Sequence, residues 1–180
     1  MIRTTSLAAI AIIGWMSASV AAQAPPDFSG QWTAEPAPAA TTPPTPGAPP
    51  PRGDMGSGWG SPLTITQDAR QLVVEQALFS RYDLQPALRF AYALDGSEAR
   101  NAVMIGHSTQ VRLSRAAWDG QTLRITTRYP AVDPASGNAF TTEVTHTLSL
   151  ESPTALVVEV MRGSALGGQT TTTRTVYRKG

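Results

Sequence analysis

The chain predicts an all-β protein, an antiparallel meander of about eight to ten strands closed into a barrel or clam. A repeated hairpin pattern, evenly spaced turn signals and the absence of any helix-length period lead to that class. Three stretches share one rhythm: Leu63 to Asp68 runs into Leu72-Val73-Val74, Arg115 to Gly120 into Leu123-Arg124-Ile125, and Leu148 to Pro153 into Leu156-Val157-Val158. Each second strand opens with a Leu four residues after a turn residue, Asp68, Asp119 or Ser152, as consecutive hairpins do. From Ser61 onward the composition is rich in Thr, Val, Leu, Ile and aromatic residues, with turn signals every eight to twelve residues. So many strands in one small domain must close up or fold over to hide their edges.

The strands expected in order are 29–34, 62–68, 71–77, 87–94, 102–105, 109–118, 121–129, 140–150, 155–162 and 170–178. Asp95-Gly96 and Asp119-Gly120 are two-residue hairpin signals, because Gly supplies the positive φ such turns need. Residues 134–138 and 163–168 read as longer connections, and 76–85 has room for one helical turn before Pro86.

Ahead of the sheet the organisation differs. Arg3 precedes an apolar run from Leu7 to Trp15 and small residues through Ala22, the form of a secretory signal peptide over 1–22 cleaved near Ala22. The expected location is therefore periplasmic or secreted. No stretch approaches the roughly 18 apolar residues of a membrane-spanning helix. The chain has no Cys, so neither disulfides nor a lipidated Cys can hold or anchor it. Removing Arg3 leaves thirteen basic against thirteen acidic residues, which gives no electrostatic case for nucleic acid. The division is signal peptide 1–22, N-terminal segment and first strand 23–33, Pro/Gly-rich insert 34–61 and antiparallel β domain 62–180.

The insert holds eight Pro between Pro36 and Pro51 and then a Gly-rich run to Gly60. Proline removes ladder donors and favours polyproline geometry, so a linker is the plain reading. The sharper one is a lid over a cavity mouth, with Met55 and Trp59 at its apolar tip. Arg52-Gly53-Asp54 matches an adhesion tripeptide by letters alone.

Alternation sorts residues into faces. Leu123, Ile125 and Tyr129 share one side of their strand, and Leu88, Phe90, Tyr92 and Leu94 one side of theirs. His146 shares parity with Val144, Leu148 and Leu150, and Arg115 with Val111, Leu113 and Ala117. The expectation is that Arg115, His146, Tyr92 and Tyr129 point inward. An inward Arg needs a partner, either a carboxylate or carbonyl inside the protein, or an anionic head group entering an otherwise apolar pocket. For His146 a hydrogen-bonded core histidine is the plainer alternative, and His107 sits in a turn.

Asp27-Phe28-Ser29-Gly30-Gln31-Trp32 resembles the Gly-x-Trp opening of lipocalin-like proteins, in the form found at the start of small exported bacterial proteins. The Leu63 to Val74 hairpin, the Leu94 to Glu98 turn, the run Ala117 to Leu123 and the Thr-rich end at Val176-Tyr177-Arg178-Lys179 are similar to those proteins as well. The resemblance implies that Trp32 closes one end of an up-and-down barrel under an Arg from the last strand, Arg174 or Arg178, with a small apolar ligand inside.

Catalytic signatures are weak. Two His without Cys do not make a zinc set at any familiar spacing, Gly163-Ser164-Ala165-Leu166-Gly167 leads into a strand and not a helix, and Asp68, Asp95, Asp119 and Asp133 are explained as turn formers. The expectation is a non-enzymatic binding protein, without cofactor or metal, for a small hydrophobic or amphipathic anionic ligand, with a monomer as its expected state. The alternative is an envelope interaction module with a packed core and a Pro-rich docking arm.

Overall fold

A computed structural model describes residues 24–36, 59, 62–76, 88–105, 108–132, 136–163 and 170–180. The signal-peptide segment, Met55, the Arg52-Gly53-Asp54 tripeptide, the ambiguous stretch ahead of Pro86 beyond Gln76, His107, Asp133 and Ser164 lie outside them. Ten strands are described: β1 Gly30–Ala34, β2 Leu63–Gln67, β3 Gln71–Gln76, β4 Leu88–Ala93, β5 Glu98–Ile105, β6 Ser108–Asp119, β7 Thr122–Val132, β8 Ala139–Ser152, β9 Ala155–Arg162 and β10 Thr171–Lys179. The fold is thus the expected all-β antiparallel meander.

Every ladder joins neighbours in sequence except one, where β10 pairs with β1 and brings the meander round on itself. The two edges of the resulting sheet, β4 and β5, face each other across a seam. There the Asn101 carboxamide acts as a peptide group: its Oδ1 accepts from the Ala91 amide at 2.7 Å and its Nδ2 donates to the Ala91 carbonyl at 3.0 Å. A buried side chain thereby satisfies edge groups that the missing ladder leaves open. The barrel is nearly closed.

Alternate connections of a meander fall at opposite ends. The short turns after Gln67, Ala93, Asp119 and Ser152 share one end, where Gly96 and Gly120 adopt φ of 81° and 60°. Asp68 Oδ1 accepts from the Arg70 and Gln71 amides at 2.7 Å, and Asp95 Oδ1 from the Ser97 amide at 2.9 Å, so these acids are turn formers as read. The three signature leucines, Leu72, Leu123 and Leu156, are fully buried, and Val74, Ile125 and Val158 follow them into the core.

This turn end is sealed. The Trp32 Nε1–H donates to the Phe28 carbonyl at 2.9 Å, and the Phe28 ring stacks on Trp118 at 5.8 Å. Gln67 ties the crossing segment down by accepting from the Phe28 amide and donating to the Pro26 carbonyl. The cation over Trp32 is Lys179, at 5.4 Å from the ring centroid, and neither Arg174 nor Arg178. The register explains this correction: Lys179 stands opposite Trp32, while Arg174 and Arg178 alternate outward to pair with Glu151 and Glu35. Gly30 makes room for the lysine, since its φ is 144° and a Cβ there would meet Lys179 Cε at 2.5 Å.

Candidate functional site

The second end of the barrel is where the strands come apart. The β6–β7 ladder runs from Asp119 opposite Thr122 to Leu113 opposite Arg128, while β7 continues against β8 as far as Val132. Pro130, which has no amide hydrogen to give, lies in that unshared stretch. The inward residues next to the splay are Arg112 and Tyr129, six residues or about 20 Å along β6 from Trp118 at the sealed end.

The inward arginine of β6 is therefore Arg112, and the expected orientation of Arg115 is corrected. A two-residue turn sets Asp119 opposite Thr122 and Trp118 opposite Leu123, so Trp118, Ala116, Ser114 and Arg112 take the face of Leu123. Arg115 falls on the outer face with its side chain 60% exposed, 3.8 Å from Glu98. There it lines a surface cleft of about 190 Å³ with Leu113, Thr126, Arg128 and Glu143. His146, Tyr92 and Tyr129 do face inward, as expected.

Arg112 is held by rings. Its guanidinium carbon lies 4.8 Å from the Tyr129 centroid and 5.7 Å from that of Phe90, and its Nε is buried without a hydrogen-bond partner. Arg162, at the end of β9, has one terminal nitrogen buried and likewise unpartnered. Among the described residues neither arginine forms an ion pair, because the carboxylates there sit on the outer face or in a turn. Glu75, Glu98 and Glu151 each meet an outward arginine, and Arg128 stands opposite Glu143. Both arginines are half-buried, and two cations facing inward without a carboxylate among the described residues are unfavourable unless something brings an anion. Cation–π contact offsets only about 1–2 kcal/mol for Arg112.

His146 is 4% exposed, with both ring nitrogens buried and unpartnered. Burial, followed by repulsion from Arg162 and Arg112, lowers its pKa to about 4, so the imidazole is neutral at pH 7. Burial also pushes the Tyr92 and Tyr129 phenols up from their ordinary value, and both stay protonated. Trp59 stacks on His146 at 5.0 Å and 12°, lies 6.1 Å from Tyr92, and accepts a hydrogen bond at its carbonyl from the Tyr177 hydroxyl at 2.6 Å. Nearby, the buried Ser114 and Thr127 hydroxyls satisfy each other at 2.9 Å.

A cleft of about 270 Å³ at the sealed end has its polar lining already engaged: Gln67 by Phe28 and Pro26, Asp68 by its turn, and Asp27 by the Ser29 amide. It offers little for recognition. Among the described residues no group of three or more His, Asp or Glu is placed to hold a metal ion, and no helix is long and apolar enough to cross a membrane. No family model, curated protein or solved structure matches this chain.

Sequence reasoning missed Arg112 and Arg162. The signal for Arg112 was present in the Asp119-Gly120 turn, whose register carries the face of Leu123 across to it. Arg162 shares parity with Leu156, Val158 and Val160 and could have been found by the same alternation.

Proposed function

We propose that this protein is an exported, non-enzymatic carrier whose barrel takes up an amphipathic anion, with the anionic group at Arg112 and Arg162 and the apolar body along Phe90 and Tyr92. The observation that carries the reading is the pair of interior arginines with buried, unpartnered nitrogens on a face that has no carboxylate among the described residues. Charge-assisted bonds from guanidinium to carboxylate are the strong ones, and an apolar surround makes them stronger. Kinship with lipocalin-like proteins, with their ligand held inside the barrel, belongs to the same proposal and agrees with the Gly30-Gln31-Trp32 closure.

The test is native mass spectrometry of the protein purified from an exporting host, followed by calorimetric titration with decanoate. A one-to-one complex is expected, and Arg112→Met or Arg162→Met weakens it about tenfold or more, the loss of one charge-assisted bond. Absence of both a co-purified small molecule and decanoate uptake refutes the proposal. It would favour the second reading, an envelope module with a docking arm, which the packing of Trp59 against His146 and Tyr92 supports.

A further inference from the structure

Trp59 is the interior group that the strands do not supply. It precedes β2 by four residues, in the connection from β1, yet it is only 6% exposed. Its indole lies parallel to the His146 ring and beside Tyr92; Tyr92 stacks on Phe90 at 6.5 Å and 8°; Phe90 meets Arg112, whose other neighbour is Tyr129. A continuous series of flat groups thus runs from His146 to Tyr129, with Trp59 in the slot on His146 and a guanidinium near the far end.

We propose that Trp59 occupies, from the protein's own chain, the place of the ligand's aromatic ring, so that the ligand is an aromatic carboxylate that exchanges with the indole. This inference rests on the interior being an anion site. Three observations support it. The slot is bounded by an imidazole face at stacking distance, a geometry that selects a planar ring over an alkyl chain. His146 keeps both nitrogens without partners although it is almost fully buried, so its edge is free for a group the chain does not provide. Trp59 is also held differently from the other core tryptophans: Trp32 and Trp118 lie within paired strands, whereas Trp59 belongs to no described strand and is held by its side-chain hydrogen bond with Tyr92 and by the Tyr177 hydroxyl on its carbonyl.

The experiment titrates wild type and Trp59→Ala with 2-naphthoate and with decanoate, and follows the indole N–H resonances of the wild type. Naphthoate is expected to move the Trp59 resonance to that of a solvent-exposed indole and to leave the Phe28-bonded Trp32 resonance in place. Trp59→Ala binds naphthoate about tenfold tighter than wild type, and its gain for decanoate is smaller. Naphthoate binding with the Trp59 resonance unmoved, or no gain in a folded Trp59→Ala chain, overturns the inference. The resonance shift decides alone if the variant does not fold. Decanoate binding without any preference for naphthoate sinks only the aromatic assignment, whereas failure of both anions sinks the carrier proposal with it.

Discussion

His146 makes stability fall in mild acid, by an amount that follows from its surroundings. In the unfolded chain its imidazole titrates at about 6.5, and in the barrel at about 4. The fold holds the base neutral, so as pH falls the unfolded state takes up the proton first. Stability is full above 6.5, declines between 6.5 and about 4, and below that the whole contribution is gone. The difference amounts to about 3 kcal/mol. A protonated ring would recover about 1 kcal/mol from the face of Trp59, which makes 3 an upper figure. The charged groups that act on His146 are Arg162 from β9 and Arg112 from β6, and the ring against it is Trp59. The phenols of Tyr92 and Tyr129, pushed up by burial, stay protonated in this range. Urea unfolding at pH 7 and pH 4 of wild type and His146→Phe measures the effect: the wild type should lose about 2–3 kcal/mol more than the variant. Asp27, Asp68 and Asp95, whose pKa values are lowered by turn hydrogen bonds, lose their contribution at still lower pH and do so equally in both chains. A difference under about 1 kcal/mol, or an imidazole resonance titrating near 6.5 in the folded protein, would refute the reasoning.

Arg115→Leu should change stability by less than about 0.5 kcal/mol and leave decanoate binding intact, since its pair with Glu98 is exposed; Arg112→Leu should weaken binding about tenfold or more while leaving the melting temperature level or higher. Calorimetry on the two variants checks this, and equal behaviour would contradict the assignment of faces. Asn101→Leu removes both hydrogen bonds across the seam and strands the Ala91 groups, at a cost of about 2–4 kcal/mol, with hydrogen exchange accelerating first in β4 and β5. Gly30→Ala should destabilise by about 1–3 kcal/mol through its positive φ and Lys179; adding Lys179→Ala should restore only the steric part, read from urea midpoints.

The meander was legible because its signals are local. Asp68 and Asp95 cap their turns and Asp119 opens a two-residue one, so most strands, the leucine triplet and the inward set on β4, β7 and β8 could be read directly, although β5 begins at Glu98, four residues before the expected 102, and β7 runs on to Val132. On β6 the apolar count misleads: Val111 and Leu113 outweigh Ser114 and Ala116, yet Val111 is exposed and Ser114 buried. The pairing of Trp118 with Leu123 across the turn decides the face, and a slip of one residue exchanges Arg115 for Arg112. The seam was not legible. Asn101 is an ordinary polar residue in sequence, and its role exists only because β4 and β5, though consecutive, do not form a ladder.

The two ends of the barrel divide stability from recognition. At the turn end the polar groups are already engaged, with carboxylates capping turns, Gln67 holding the crossing segment, Trp32 bonded to Phe28, and Lys179 covering the indole. Away from that end, Arg112, Arg162 and His146 each keep buried nitrogens unsatisfied. Had the sequence been shaped for stability alone, Leu or Met at 112 and 162 would fill the same volume without the desolvation penalty of two like charges, which also repel any proton on His146. An anion would reverse all three penalties at once, by pairing the arginines, filling their donors and easing protonation of the histidine. Ligand uptake should therefore raise the His146 pKa from about 4 toward its ordinary value, and binding should tighten as pH falls through that window while the unliganded fold weakens. Affinity for 2-naphthoate measured at pH 7 and pH 5 reads this linkage; affinity that is independent of pH in this range would place the anion away from His146.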